Sequence, residues 1–197
     1  MTSSNQPETN LSSILKRFSS QYISHYQQEK SHLPIIVHDE QWPSRCELKS
    51  INNDKFLSDD ETFWQPFLIK EDQSLNFKNV ESALEMELHP DIKIYFTTFY
   101  SENLSATCKE GDLSLLFAWN KDDFYRLQEN LIGHILMKRR LKQAETIFFA
   151  VTDEEDTIIS VDNSSGSVWV ERVGCKPHKK IADSLTQFIN QLSPITT

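Results

Sequence analysis

The sequence predicts an α+β fold with the element order αββαββαβββα, in one domain spanning residues 1–197. Three observations predict it. Runs of apolar residues at helical spacing open and close the chain and recur near its middle. Between them lie runs rich in β-branched and aromatic residues, joined by short turns, which favours antiparallel pairing over a doubly wound sheet. A chain of 197 residues with 38% hydrophobic and 11% aromatic content can also bury a core without a metal or disulfide staple.

The first ten residues are polar and are expected to be loose. Leu11, Leu15, Phe18, Tyr22 and Tyr26 then recur at helical spacing and predict a helix over 11–30, with Asn10 as its N-cap. Residues 33–43 contain two prolines and read as irregular. Strands are predicted over 46–51 and 62–68, joined by the acidic turn Ser58-Asp59-Asp60-Glu61. Phe77, Val80, Leu84 and Leu88 predict a short helix over 77–88 that ends before Pro90. Residues 92–100 and 113–119 are β-rich and flank a turn containing Gly111, which reads as a hairpin. A long helix is predicted over 121–142. Asn120 is its N-cap, Asp122 and Asp123 face the positive end of its dipole, and Phe124, Leu127, Leu131 and Ile135 form its buried stripe. Strands follow over 146–151, 157–161 and 168–173, the last two linked by the turn Asn163-Ser164-Ser165-Gly166. Ile181, Leu185, Phe188 and Leu192 predict a closing helix that stops before Pro194.

The net charge is −9, and it is unevenly placed. Residues 39–123 hold eighteen acidic and eight basic residues, whereas 124–197 hold nine of each. Such a chain is repelled by nucleic acid, whose affinity depends on neutralising phosphates with Lys and Arg, and by an anionic membrane surface. It attracts basic partners. Cys46, Cys108 and Cys175 are odd in number and far apart, with no CxxC, which fits a reducing cytoplasm. No secretory signal, lipid-anchor motif or membrane-spanning apolar run is read.

The four glycines form no phosphate-binding loop, so no nucleotide cofactor is expected. His25, His32 and His38 are spaced seven and six apart and share no helical face, which argues against a metal site. Asp122-Asp123 and the run Asp153-Glu154-Glu155-Asp156 are carboxylates of the kind acid–base chemistry uses. A cap and a turn account for them more simply, and no convergent nucleophile–base constellation is read. The basic cluster Lys138-Arg139-Arg140 complements a helix C-terminus. Gly133 in mid-helix is expected to mark a close approach by another element. His134 leans toward the buried face and is expected to be a hydrogen-bonded core histidine.

The segment Gln128-Glu129-Asn130-Leu131-Ile132-Gly133-His134 resembles the signature of the Syd family, bacterial proteins that interact with SecY. Trp119, Asp122-Asp123-Phe124, Tyr95-Phe96-Thr97-Thr98, Gly111-Asp112, Arg140-Leu141-Lys142, Ile159-Ser160-Val161, Ser165-Gly166 and Phe188-Ile189-Asn190-Gln191-Leu192 also match, in order. Trp64-Gln65-Pro66 and Val80-Glu81 extend the match toward the N-terminus. The resemblance implies a non-enzymatic cytoplasmic protein that docks on the cytoplasmic side of SecY. It would be peripheral at the inner membrane through that partner, and would recognise SecY outside its proper complex. It also implies an acidic concave face, and a kinship to the SUKH group, which includes immunity proteins that neutralise toxins.

The expected contact residues are Glu81, Glu85, Asp112, Asp122, Asp123 and Glu129, with Trp64 as an aromatic anchor; Gly133 and His134 are expected to be structural. Two alternatives stay open: an immunity-type protein whose partner is a basic toxin, and a hydrolase using the acidic cluster with a divalent metal.

Overall fold

The computed structural model describes residues 10–48, 55–70 and 75–196. The expected looseness at the N-terminus falls, apart from Asn10, on residues outside that description. Helix α1 (Leu11–Lys30) begins where expected because the Asn10 side chain accepts the Ser13 N–H at 2.9 Å. It buries Leu11, Ile14, Leu15, Phe18 and Tyr22 and ends at Ser31, whose φ is 65°.

Strands β1 (Ile35–Val37) and β2 (Glu61–Phe63) form a separate antiparallel pair, so the stretch expected to be irregular contains a short strand. The strand expected over 46–51 is, among the described residues, a single bridge between Glu47 and Trp64. Its last three positions lie outside the described residues. The strand expected over 62–68 is split at Pro66, which lacks a ladder N–H, into β2 and β3 (Phe67–Leu68).

Helix α2 (Lys78–Leu84) stops at Glu85, φ 51°, short of the expected residue 88. Of the strand expected over 92–100, residues 92–97 instead lie in helix α3 (Pro90–Thr97), and only β4 (Phe99–Tyr100), which pairs with β3, is strand. Pro90 does not end the preceding helix, which has already stopped at Glu85; it occupies the first turn of the next, where its missing N–H costs nothing. His89 Nδ1 accepts the Asp91 N–H at 3.2 Å, and Ile92, Tyr95 and Phe96 share the buried face. The hairpin at Gly111 exists, but its first arm is β5 (Leu104–Cys108), paired with β6 (Gly111–Leu115).

Helix α4 (Lys121–Arg140) has the expected N-cap: Asn120 accepts the Asp123 N–H, while Asp123 accepts the N–H of Trp119, the residue before the cap, each at 2.9 Å. The three expected strands are β7 (Thr146–Thr152), β8 (Thr157–Asp162) and β9 (Val168–Arg172). Ile181 belongs to a fourth, β10 (Lys179–Ala182). The closing helix α5 (Leu185–Asn190) starts only after its own N-cap, Ser184, and β11 (Ser193–Pro194) follows it. The element order is therefore αβββααβββαββββαβ, and the α+β class holds.

Seven strands form one antiparallel sheet in the order β10-β9-β8-β7-β6-β5-β11. Helices lie against both of its faces. On one, Phe149 of β7 meets Tyr95 of α3 and Phe188 of α5 edge-on. On the other, Phe148 and Thr146 meet His134 of α4. Glu110, on the turn between β5 and β6, accepts Lys179 of β10 at 3.5 Å. Four strand spacings separate β10 from β6, roughly 19 Å in a flat sheet, so this contact requires a strongly curled one.

Candidate partner-binding surface

The curl makes a concave mouth at one end of the sheet. Its floor is apolar, built from Leu113, Ile159 and Val170 of β6, β8 and β9. Its rim carries Glu110, Asp112, Asp153 and Glu154, with His178 and Lys179 on the opposite side. The enclosed volume is about 200 Å³. Pairing places the carboxylates together: Leu113 registers with Thr152, so Asp112 on one strand and Asp153 beyond the end of the other reach the same rim. This end of the sheet offers four carboxylates around an apolar floor, with Lys179 already drawn across to Glu110. Such a surface can receive the aliphatic stem and cationic head of a lysine or arginine side chain.

Of the residues expected to contact a partner, Asp112 lies on this rim and is exposed. Glu85, Asp122 and Glu129 are exposed elsewhere, Asp122 and Glu129 on one face of α4. Glu81 and Asp123 are committed inside the chain. Burial alone would raise the Glu81 carboxyl. Hydrogen bonds from Lys93 Nζ at 2.8 Å and the Leu88 N–H at 3.0 Å outweigh it and hold the group below its ordinary range. Asp123 is the cap partner of Trp119.

Two expectations are corrected. Trp64 is 4% exposed, stacked on Tyr22 and edge-on to Trp119, so its ring belongs to the core and cannot serve as an anchor. Gly133 is exposed, and among the described residues a methyl group added there would meet nothing within 4 Å, so no described element approaches it. His134 is as expected: it is buried, with Nε2 3.2 Å from Thr146 Oγ1.

Sequence reasoning missed Glu110, Asp153 and Glu154 as members of one site, because strand pairing and curl bring them together. It also missed Glu102, whose carboxyl is raised by burial and by the nearby Asp123 charge. Among the described residues no group of three or more His, Cys, Asp or Glu side chains is placed to hold a metal ion. His38 instead meets Glu47, and the His32 ring packs against Phe56. No described helix is long and apolar enough to cross a membrane.

A family model described as "Syd protein (SUKH-2)" matches residues 12–194. The chain belongs to the Syd family. It is similar to Protein Syd of Colwellia psychrerythraea, with 56% identity over 200 residues covering 98% of this chain and 96% of the relative. It is also similar to Protein Syd of Alteromonas mediterranea, at 44% identity over 94% of this chain and 97% of that one. Protein Syd of Yersinia pestis is 37% identical over 95% and 98% respectively. The Syd match runs from α1 to β11 and so takes in every strand of the curled sheet.

Proposed function

We propose that this chain is a non-catalytic regulator that binds SecY from the cytoplasmic side, taking basic SecY loops at the acidic mouth of its curled sheet. It is held at the inner membrane through that contact and recognises SecY outside its proper complex. The observation that carries the reading is the convergence of Asp112, Asp153 and Glu154 on one concave rim in a chain of net charge −9. Cytoplasmic loops of membrane proteins are enriched in Lys and Arg. A carboxylate rim attracts them while bare anionic lipid repels the chain.

The test is association with solubilised SecY as salt rises from about 0.01 M to about 0.15 M, over which the Debye length falls from about 30 Å to about 8 Å. The on-rate should fall about tenfold or more. The paired reversal Asp112→Lys with Asp153→Lys should slow association at low salt while leaving the melting temperature nearly unchanged. Binding indifferent to both salt and reversal would refute the reading. The SUKH-2 label in the family description supports a second one, an immunity-type protein whose partner is a basic toxin. No complex with SecY, beside capture of a basic toxin that the same reversal abolishes, would favour it.

A further inference from the structure

The outward face of α4 carries a pattern that neither the core nor the acidic mouth uses. Asp122, Tyr125, Glu129, Gly133, Leu136 and Arg140 are all exposed and are spaced three or four apart, so they form one seam along the helix. Tyr125 is 39% and Leu136 is 51% exposed. Among the described residues Asp122, Glu129 and Arg140 enter no ion pair. The neighbouring cations Arg126 and Arg139 are turned aside, Arg126 onto the Trp42 ring at 3.9 Å and Arg139 onto Glu145 and the Leu84 carbonyl. Gly133 lies near the middle of the seam, where glycine weakens a helix and, among the described residues, nothing approaches it closely enough to require it.

Reversed end for end, the seam complements itself. About a midpoint at residue 131, Asp122 falls opposite Arg140, Glu129 opposite Gly133, and Tyr125 beside Leu136. An antiparallel copy therefore sets acid on base at both ends and an aromatic ring on leucine on either side of the centre. The missing side chain of Gly133 lets the two backbones come close where Glu129 must fit. We propose that two copies of this chain associate through α4, antiparallel about a twofold axis beside residue 131, as an isologous contact.

The seam is about 27 Å long at 1.5 Å per residue. One helix laid on one helix buries well under the roughly 800 Å² per partner of a standard interface. The dimer is therefore weak and forms at high concentration. Sedimentation of the full chain from about 1 µM to about 1 mM should show mass rising toward twice the monomer. Leu136→Lys should abolish the rise. Asp122→Lys and Arg140→Asp should each weaken association by about tenfold at low salt, and the double swap should recover most of the loss, because acid again faces base. A monomer at every concentration, an unaffected Leu136→Lys, or a double swap no tighter than the single variants would overturn the proposal.

Discussion

Lys138 Nζ lies 2.8 Å from Glu171 Oε2, and both side chains are closed off from solvent. The same ammonium donates to the Cys175 carbonyl at 2.9 Å. Thr146 Oγ1 donates to the second carboxylate oxygen at 2.7 Å, and His134 Nε2 stands 3.5 Å from it. Burial alone would raise the Glu171 carboxyl, but the hydrogen bonds from His134, Lys138 and Thr146 outweigh it and hold it low. These four side chains fasten α4 to β7 and β9.

Removing one partner of a buried ion pair leaves a charge without compensation. Lys138→Met should cost about 3–5 kcal/mol, whereas Lys138→Met with Glu171→Leu should recover much of that. Denaturant unfolding measures both. The pH dependence follows from the lowered carboxyl. Its stabilisation is present above the ordinary glutamate value of 4.5 and is lost as pH falls through the lower folded value. The double variant should lose less stability in acid than the parent.

Gly133→Ala should stabilise the dilute protein by about 0.4–1 kcal/mol, since the added methyl meets open space and removes a helix penalty. A rise in melting temperature is the expected result. A fall would mean that the site is closed in solution.

Gly166→Ala should destabilise by about 1–3 kcal/mol, and by more than Gly111→Ala. Both glycines have positive φ, 73° and 129°. At Gly111 an added Cβ meets nothing within 4 Å, whereas at Gly166 it would lie 2.5 Å from His89 Nε2. The ring cannot swing away freely, because His89 Nδ1 caps α3 and the His89 N–H is held by Asn163. Equal melting temperatures for the two variants would contradict the steric part of this account.

Glu102→Gln should stabilise at pH 7 and make no difference below about pH 4. Burial first, then the Asp123 charge, raise this carboxyl above its ordinary 4.5. The folded chain therefore holds the proton more tightly than the unfolded one. Stability is lost as pH rises from 4.5 through the folded value, and the neutral amide escapes that loss. A pH-independent difference between variant and parent would point to packing instead of charge.

The two long helices were legible because cap and stripe agree: Asn10 before Leu11–Leu15–Phe18, and Asn120 before Phe124–Leu131–Ile135. The helix at 90–97 was not, since Ile92, Ile94, Tyr95 and Phe96 are strand-favouring types and only Pro90 and the spacing of Ile92, Tyr95 and Phe96 argue for helix. Lys179–Ala182 shows too little alternation to announce a strand. Trp64 is not legible as a core residue, because a tryptophan reads alike in core and interface and nothing in Phe63-Trp64-Gln65 announces its stacking on Tyr22. The acidic rim was half legible. Asp112 was picked out, but Asp153 and Glu154 read as an ordinary turn until the Leu113–Thr152 register placed them beside it. Gly133 stands out in the sequence because glycine weakens a helix, but among the described residues the close approach expected there is not found.

The two-residue strand Ser193–Pro194 covers Ala106 and Thr107 at one border of the sheet. A chain cut before Ser193 would bare the outer hydrogen-bonding row of Leu104–Cys108, a ready template for strand addition by another molecule. Pro194 itself has no N–H to offer a newcomer. The opposite border presents Lys179 and Lys180 and is interrupted by a bulge between Lys180 and Ala182. One border is thus sealed by a short lid and the other guarded by charge and irregularity. Trimming or tagging close behind Leu192 should therefore show first as aggregation, with little change in the rest of the fold.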